Sequence, residues 1–197
     1  MAYHDDFPEL TLLSVDEWRE WLSQEHAKAT GVWLVFHKKA SPTQGLRYPE
    51  AVDEALCWGW IDSLTQRIDE FRYRQVFTPR KPRSEWSGLN KRKVAGLMAG
   101  GRMQPVGLAA IEVAKANGAW TAMDAVEAHQ LPDDLEAAFV AAPRARACFE
   151  GLAPSKRKMI LHWLRAAKRD ATREVRIRSI LESLAEGYMP GPLARND

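Results

Sequence analysis

Between Trp60 and Thr78 the chain has the composition of β-strand, with a break at Asp69-Glu70 and a hard stop at "PRKPR" (Pro79–Arg83). Proline has no amide hydrogen and cannot continue a central strand. The run therefore reads as two antiparallel strands that turn near Asp69 and end in loop or edge. Such a hairpin must bury one face against other elements, which constrains what flanks it.

Upstream, Ser14 followed by Glu17 has the form of a capping box, and Val15, Trp18 and Leu22 recur at helical spacing. A helix is expected from about Ser14 to Ala29, closed by Gly31. "VWLVFHK" (Val32–Lys38) has the β-branched and aromatic content of a buried strand. Tyr48-Pro49 places proline at the first position of a second helix, ending near Trp58-Gly59. Downstream, Ser87 is expected to start a helix running roughly to Gly100. Another follows Pro105 and stops at Asn117-Gly118.

Beyond Trp120 the pattern is purely helical. Pro132, Pro143 and Pro154 each mark the start of a short helix with an alanine-rich interior. A last helix, about Ala171 to Glu186, places Val175, Ile177, Ile180, Leu181 and Leu184 on one broad face. The fold class is α+β: a small antiparallel sheet packed with helices, followed by an all-helical C-terminal unit. The boundaries read as residues 1–125 for the α+β domain that carries the candidate site, 130–187 for the helical region and 188–197 for a loose tail. The stripe of Met159, Ile160, Trp163 and Leu164 with Ile177, Ile180 and Leu184 needs a partner surface, expected on the first domain.

Several chemistries have no support. Cys57 and Cys148 are far apart in apolar surroundings and read as reduced, buried thiols rather than a disulfide, redox pair or zinc site. The five histidines (His4, His26, His37, His129, His162) show no metal-ligand spacing. Neither GxxxxGK[ST], GxGxxG nor GxSxG occurs. No metal and no cofactor is expected. No run is long enough to span a bilayer, and the acidic start lacks the apolar stretch of a signal peptide, so a cytoplasmic location is expected.

Side chains alternate along a strand. One face of the hairpin then reads Trp60, Asp62, Leu64, Gln66, Ile68, with Phe71, Tyr73, Gln75 and Phe77 returning. That face should be the core face, and a carboxylate on it needs a cation or several donors. Arg67, Arg80 and Lys81 are the candidates, with Arg80 expected as the partner of Asp62. The reading of an ordinary structural ion pair stands beside that of a ligand-facing carboxylate. The loop adds Arg80, Lys81 and Arg83 just before a helix N-terminus, where free amides and cations together suit an anion. Ser84 and Ser87 can cap the helix or donate to a ligand, Trp86 offers a flat face, and Asn90 lies one turn further in. The same residues are also consistent with a capped helix and a solvated basic lead-in.

"WGWIDS" (Trp58–Ser63), "FTPR" (Phe77–Arg80), "SEWSGLN" (Ser84–Asn90) and "GRM" (Gly101–Met103) resemble the signature of the YdeI/OmpD-associated family, also described as bacteriocin-protection proteins. The C-terminal pattern is similar to that family's helical region at Pro154-Ser155, Trp163, Ala167-Lys168, Thr172-Arg173 and Arg176. The resemblance runs from about residue 10 to 187. It implies a link to envelope stress or to protection against antimicrobial peptides, and carries no catalytic assignment.

Three functions follow as expectations. The first is a non-enzymatic stress or resistance protein binding a small anionic or aromatic ligand through Asp62, Arg80, Lys81, Ser84, Trp86, Ser87 and Asn90. The second, less favoured, is a nucleic-acid binder. Residues 80–102 carry seven bases and one acid, and residues 151–178 nine bases and two acids. The third is a hydrolase or transferase using the carboxylate and arginine for acid–base work.

Overall fold

The computed structural model describes residues 4–194. The chain divides into two compact units, residues 1–121 and 122–197.

The first unit is built in the order β1 (Glu9–Thr11), α1 (Val15–Glu25), β2 (Val32–His37), α2 (Tyr48–Cys57), β3 (Trp60–Arg67), β4 (Arg72–Pro79), α3 (Gly88–Ala99) and α4 (Pro105–Ala116). The expected hairpin is β3–β4. At its turn Asp69 Oδ1 accepts the amides of Phe71 and Arg72, the local hydrogen bonding that makes aspartate a turn former. The sheet order is β1-β2-β4-β3. β2, β4 and β3 are antiparallel neighbours, while the three-residue β1 adds a parallel edge, too short for its sequence to announce. Helix starts follow the expected chemistry. Ser14 Oγ accepts the Glu17 amide, and Glu17 reaches back to the amide of Leu13. Pro49 and Pro105 lie in the first turns of α2 and α4.

One face of the sheet carries Val32, Leu34, Phe36 and Phe77 into a core with Trp18, Leu22, Leu56, Trp60, Trp86 and Ile111. Trp18 stacks on Trp21 and meets Trp60 and Phe77 edge-on. Its indole nitrogen donates to the Ala51 carbonyl, which satisfies the one polar atom that this burial would otherwise strand. Gly107 of α4 lies so close to the C-terminal end of α2 that a Cβ there would fall 2.2 Å from the Cys57 carbonyl oxygen.

The second unit contains α5 (Asp124–Glu127), α6 (Asp133–Val140), α7 (Pro143–Gly151), α8 (Pro154–Arg165) and α9 (Asp170–Ala185). Pro143 and Pro154 start their helices and Pro132 caps α6. Leu135, Phe139, Phe149, Ile160, Leu164, Ile180 and Leu184 form a core of the unit's own, so the surface required by the α8 and α9 stripes comes from neighbouring helices. Val175 and Met159, expected on those stripes, are exposed. The tail, expected loose, is packed as far as Leu193. Met189 and Leu193 lie against the second core and Pro190 is buried, because prolines hold Gly191–Leu193 in a short 3₁₀ turn. The last three residues of that expected tail lie outside the described ones.

Candidate functional site

Asp62 lies on the core face, paired across the ladder with Phe77. The face does not continue as strict alternation predicts. Thr65, not Leu64, pairs with Gln75, so Ser63 and Leu64 together oppose Val76. This bulge inserts one residue and reverses every later side chain. Leu64 and Ile68, expected in the core, are exposed, with Ile68 at 38%.

The partners of Asp62 also differ from expectation. Its Oδ2 accepts from the Tyr48 hydroxyl at 2.7 Å and from Gln75 Nε2 at 2.7 Å. Asp62 is half-buried, not fully buried, and makes no ion pair with Arg80. Two neutral donors can reach it because the first turn of α2 and the buried Gln75 flank the strand there. Burial, and then the bond to Asp62, push the Tyr48 phenol up to about 12.

Arg80 turns toward the protein instead. Its guanidinium lies 3.8 Å from the centre of the Trp86 ring and Nη1 donates to the Glu85 carbonyl. Nε and Nη2 are buried with no hydrogen-bond partner. Burial lowers its pKa to about 10, opposed by the charge of Asp62. Trp86 is 0% exposed, packed between Arg80 and Trp120, so it is a core residue and not a face for a ligand. Ser87 caps α3 by accepting the Asn90 amide, which removes that amide from any anion site.

The remaining candidates separate into two depressions. One, of about 770 Å³, is bordered by Lys81 and Ser84 with Pro79, Thr78, Ser63, Ile61, Thr30 and Lys28 among others. Among the described residues the hydroxyls of Thr30, Ser63, Thr78 and Ser84 make no hydrogen bond, and no carboxylate borders the groove. The other, of about 200 Å³, holds Asp62 and Asn90 with Tyr48, Pro49, Val52, Leu89 and Lys93. The residues expected to bind one ligand together are thus divided: Lys81 and Ser84 border one depression, Asp62 and Asn90 the other, and Arg80, Trp86 and Ser87 line neither.

Residues 10–110, just over half of the chain, match the family described as Domain of unknown function (DUF8412), and residues 128–187 match that described as Bacteriocin-protection, YdeI or OmpD-Associated. The chain belongs to the DUF8412 family and carries a YdeI/OmpD-associated C-terminal unit. No curated protein and no solved structure matches it. The YdeI/OmpD-associated match lies within the second unit, whereas the stretches Trp58–Ser63 through Met103 that carried much of the resemblance lie in the DUF8412 region.

The DUF8412 region includes a site that the sequence reading missed. Glu54 of α2 is 2% exposed and is the buried carboxylate that arginines neutralise. Arg19 grips both its oxygens at 3.1 Å, Arg102 adds a bond at 2.9 Å and the Trp58 indole one at 3.3 Å. Gly101 takes a φ of 65°, a left-handed turn that glycine adopts without strain, just before Arg102. "WGW" and "GRM" therefore supply partners to Glu54. A signal was present: an acid on the apolar face of a short helix, with Trp58 four residues on. Cys57 nearby is free, and burial raises its thiol to about 11, which makes it inert.

In the YdeI/OmpD-associated unit many cations are already engaged. Arg173 holds Asp134 with two nitrogens, Lys158 holds Glu127, and Arg146 bridges Glu136 and Glu150. Arg176 donates to the Trp163 carbonyl and lies over its ring. Such pairing reduces the positive field that nucleic-acid binding requires. Among the described residues no cluster of three His, Cys, Asp or Glu could hold a metal, and no helix is long and apolar enough to cross a membrane.

Proposed function

We propose that this protein binds a small phosphorylated or otherwise anionic ligand in the Lys81–Ser84 groove, as a cytoplasmic member of a bacteriocin-protection system. The observation that carries the reading is four hydroxyls without hydrogen bonds, from Thr30, Ser63, Thr78 and Ser84, beside Lys81, which makes no ion pair among the described residues, and Lys28, whose partner Glu25 lies outside the lining. Thr78 and Ser84 are half-buried, where hydroxyls normally find partners within the fold, while Thr30 and Ser63 stand exposed at the rim. Hydroxyls and ammonium groups together match the oxygens of a phosphate or a sugar phosphate. The groove volume falls in the range of small-molecule sites. The role in protection rests on the family description of the C-terminal unit.

Titration of the ¹⁵N-labelled protein with inorganic phosphate and glycerol phosphate tests it. Saturable shifts at Ser63, Thr78, Lys81 and Ser84 are expected, with a rise in Tm that follows ligand occupancy. The double variant Lys28→Ala with Lys81→Ala should weaken binding at least tenfold and leave the fold intact. Unchanged affinity in that variant, or no saturable shift, defeats the proposal.

A further inference from the structure

We propose that the depression around Asp62 is a second site, which takes a planar group offering a hydrogen-bond donor beside an acceptor, such as a primary carboxamide or the edge of a pyrimidine. The geometry begins with Asp62. Tyr48 and Gln75 both donate to Oδ2, and Oδ1 has no donor among the described residues. Both donors are neutral, so they orient the carboxylate without discharging it. One oxygen is thereby fixed and the other left open, beside a pocket of about 200 Å³.

Asn90 supplies the complementary group. Its backbone amide is held by Ser87 Oγ at the start of α3, which fixes the residue on the helix's first turn. Its side-chain amide has no hydrogen bond among the described residues. Asp62 can accept and Asn90 can donate in the same small space. Pro49, Val52 and Leu89 give it apolar walls, suited to the flat body of such a ligand.

The open carboxylate oxygen argues against an anion as the ligand. Lys93 borders the pocket but is held by Asp53. A neutral group with both hydrogen-bonding functions satisfies Oδ1 and Asn90 together. The residues are separate from those of the Lys81–Ser84 groove, so either site can fail alone.

Asp62→Asn gives a sharp test. An asparagine keeps Tyr48 and Gln75 satisfied only by turning its oxygen toward them. Its NH₂ group then occupies the open position, which changes from acceptor to donor. NMR titration uses benzamide and uracil as probes, with acetate and methylammonium as controls. One of the two probes should bind saturably, with shifts at Asp62, Asn90 and Lys93, and acetate and methylammonium should bind at least tenfold more weakly. Asp62→Asn should reduce probe affinity at least tenfold and improve acetate binding. Asn90→Ala, which alters no hydrogen bond of the fold, should also weaken the probe. The proposal is overturned if neither probe binds, if methylammonium or acetate binds as well as the probes, or if both variants keep wild-type affinity.

Discussion

Glu54 and Asp62 are eight residues apart in sequence and both face the interior of the first unit, yet the fold treats them oppositely. Glu54 is surrounded by two guanidiniums and an indole, with each oxygen bonded more than once. Asp62 is held by a phenol and an amide through one oxygen only. The first arrangement completes the α1–α2 corner and leaves nothing for a ligand. The second fixes a carboxylate while leaving it capable of more. A charge within a core is informative through its partners: charged partners that saturate it mark architecture, and neutral partners that leave an oxygen open mark a candidate site.

The largest effect should come from Glu54. Glu54→Ala removes the shared acceptor of Arg19, Arg102 and Trp58. Both arginines are nearly half exposed and recover water, which limits the loss. Urea unfolding should show destabilisation of about 3 kcal/mol, from lost charge-assisted hydrogen bonds and a small void. A change below about 1 kcal/mol would break the contrast, since Glu54 would then be no more structural than Asp62.

Tyr48 comes next. Tyr48→Phe deletes one of the two neutral donors to Asp62 and should cost about 1 kcal/mol. In the wild type the phenol is raised to about 12, so its neutral form is the one the fold prefers. The sign follows: this contribution is present below pH 10 and is lost as pH rises from the ordinary tyrosine value toward 12. Absorbance at 295 nm should show a late-ionising tyrosine that disappears in Tyr48→Phe, while Tyr73, which burial also raises, remains. Ionisation of Tyr48 with the bulk of the tyrosines would dissolve the link to Asp62.

The smallest effect is expected for Asp62→Asn, which keeps an oxygen for both donors. Its stability change should stay under about 0.5 kcal/mol by the same urea measurement. A large loss would place Asp62 with Glu54 as architecture. Together the three values order the two carboxylates by what they do for the fold.

Much of this was legible in residue order. The hairpin with its turn at Asp69, the caps at Ser14 and Ser87, the prolines opening α2, α4, α7 and α8, and the helical character of the second unit follow from local preferences within a few residues. Such preferences act before any long-range packing and survive it. Strand alternation also placed Asp62 on a core face, and the residues around it carry the family resemblance.

Tertiary structure decided the rest. A bulge at Ser63-Leu64 leaves no mark in composition, yet it reversed the second half of β3 and carried Ile68 to the surface. Arg80 and Asp62 attract by charge, but the stacking surface of Trp86 and the proximity of Tyr48 and Gln75 assigned each a different neighbour. Glu54 meets Arg19 and Arg102 across 35 and 48 residues of sequence. Sequence determined which groups had to be satisfied, through their charge and hydrogen-bonding capacity. Which partner satisfied them depended on distances of a few ångströms between elements far apart in the chain, and only the packed fold sets those distances.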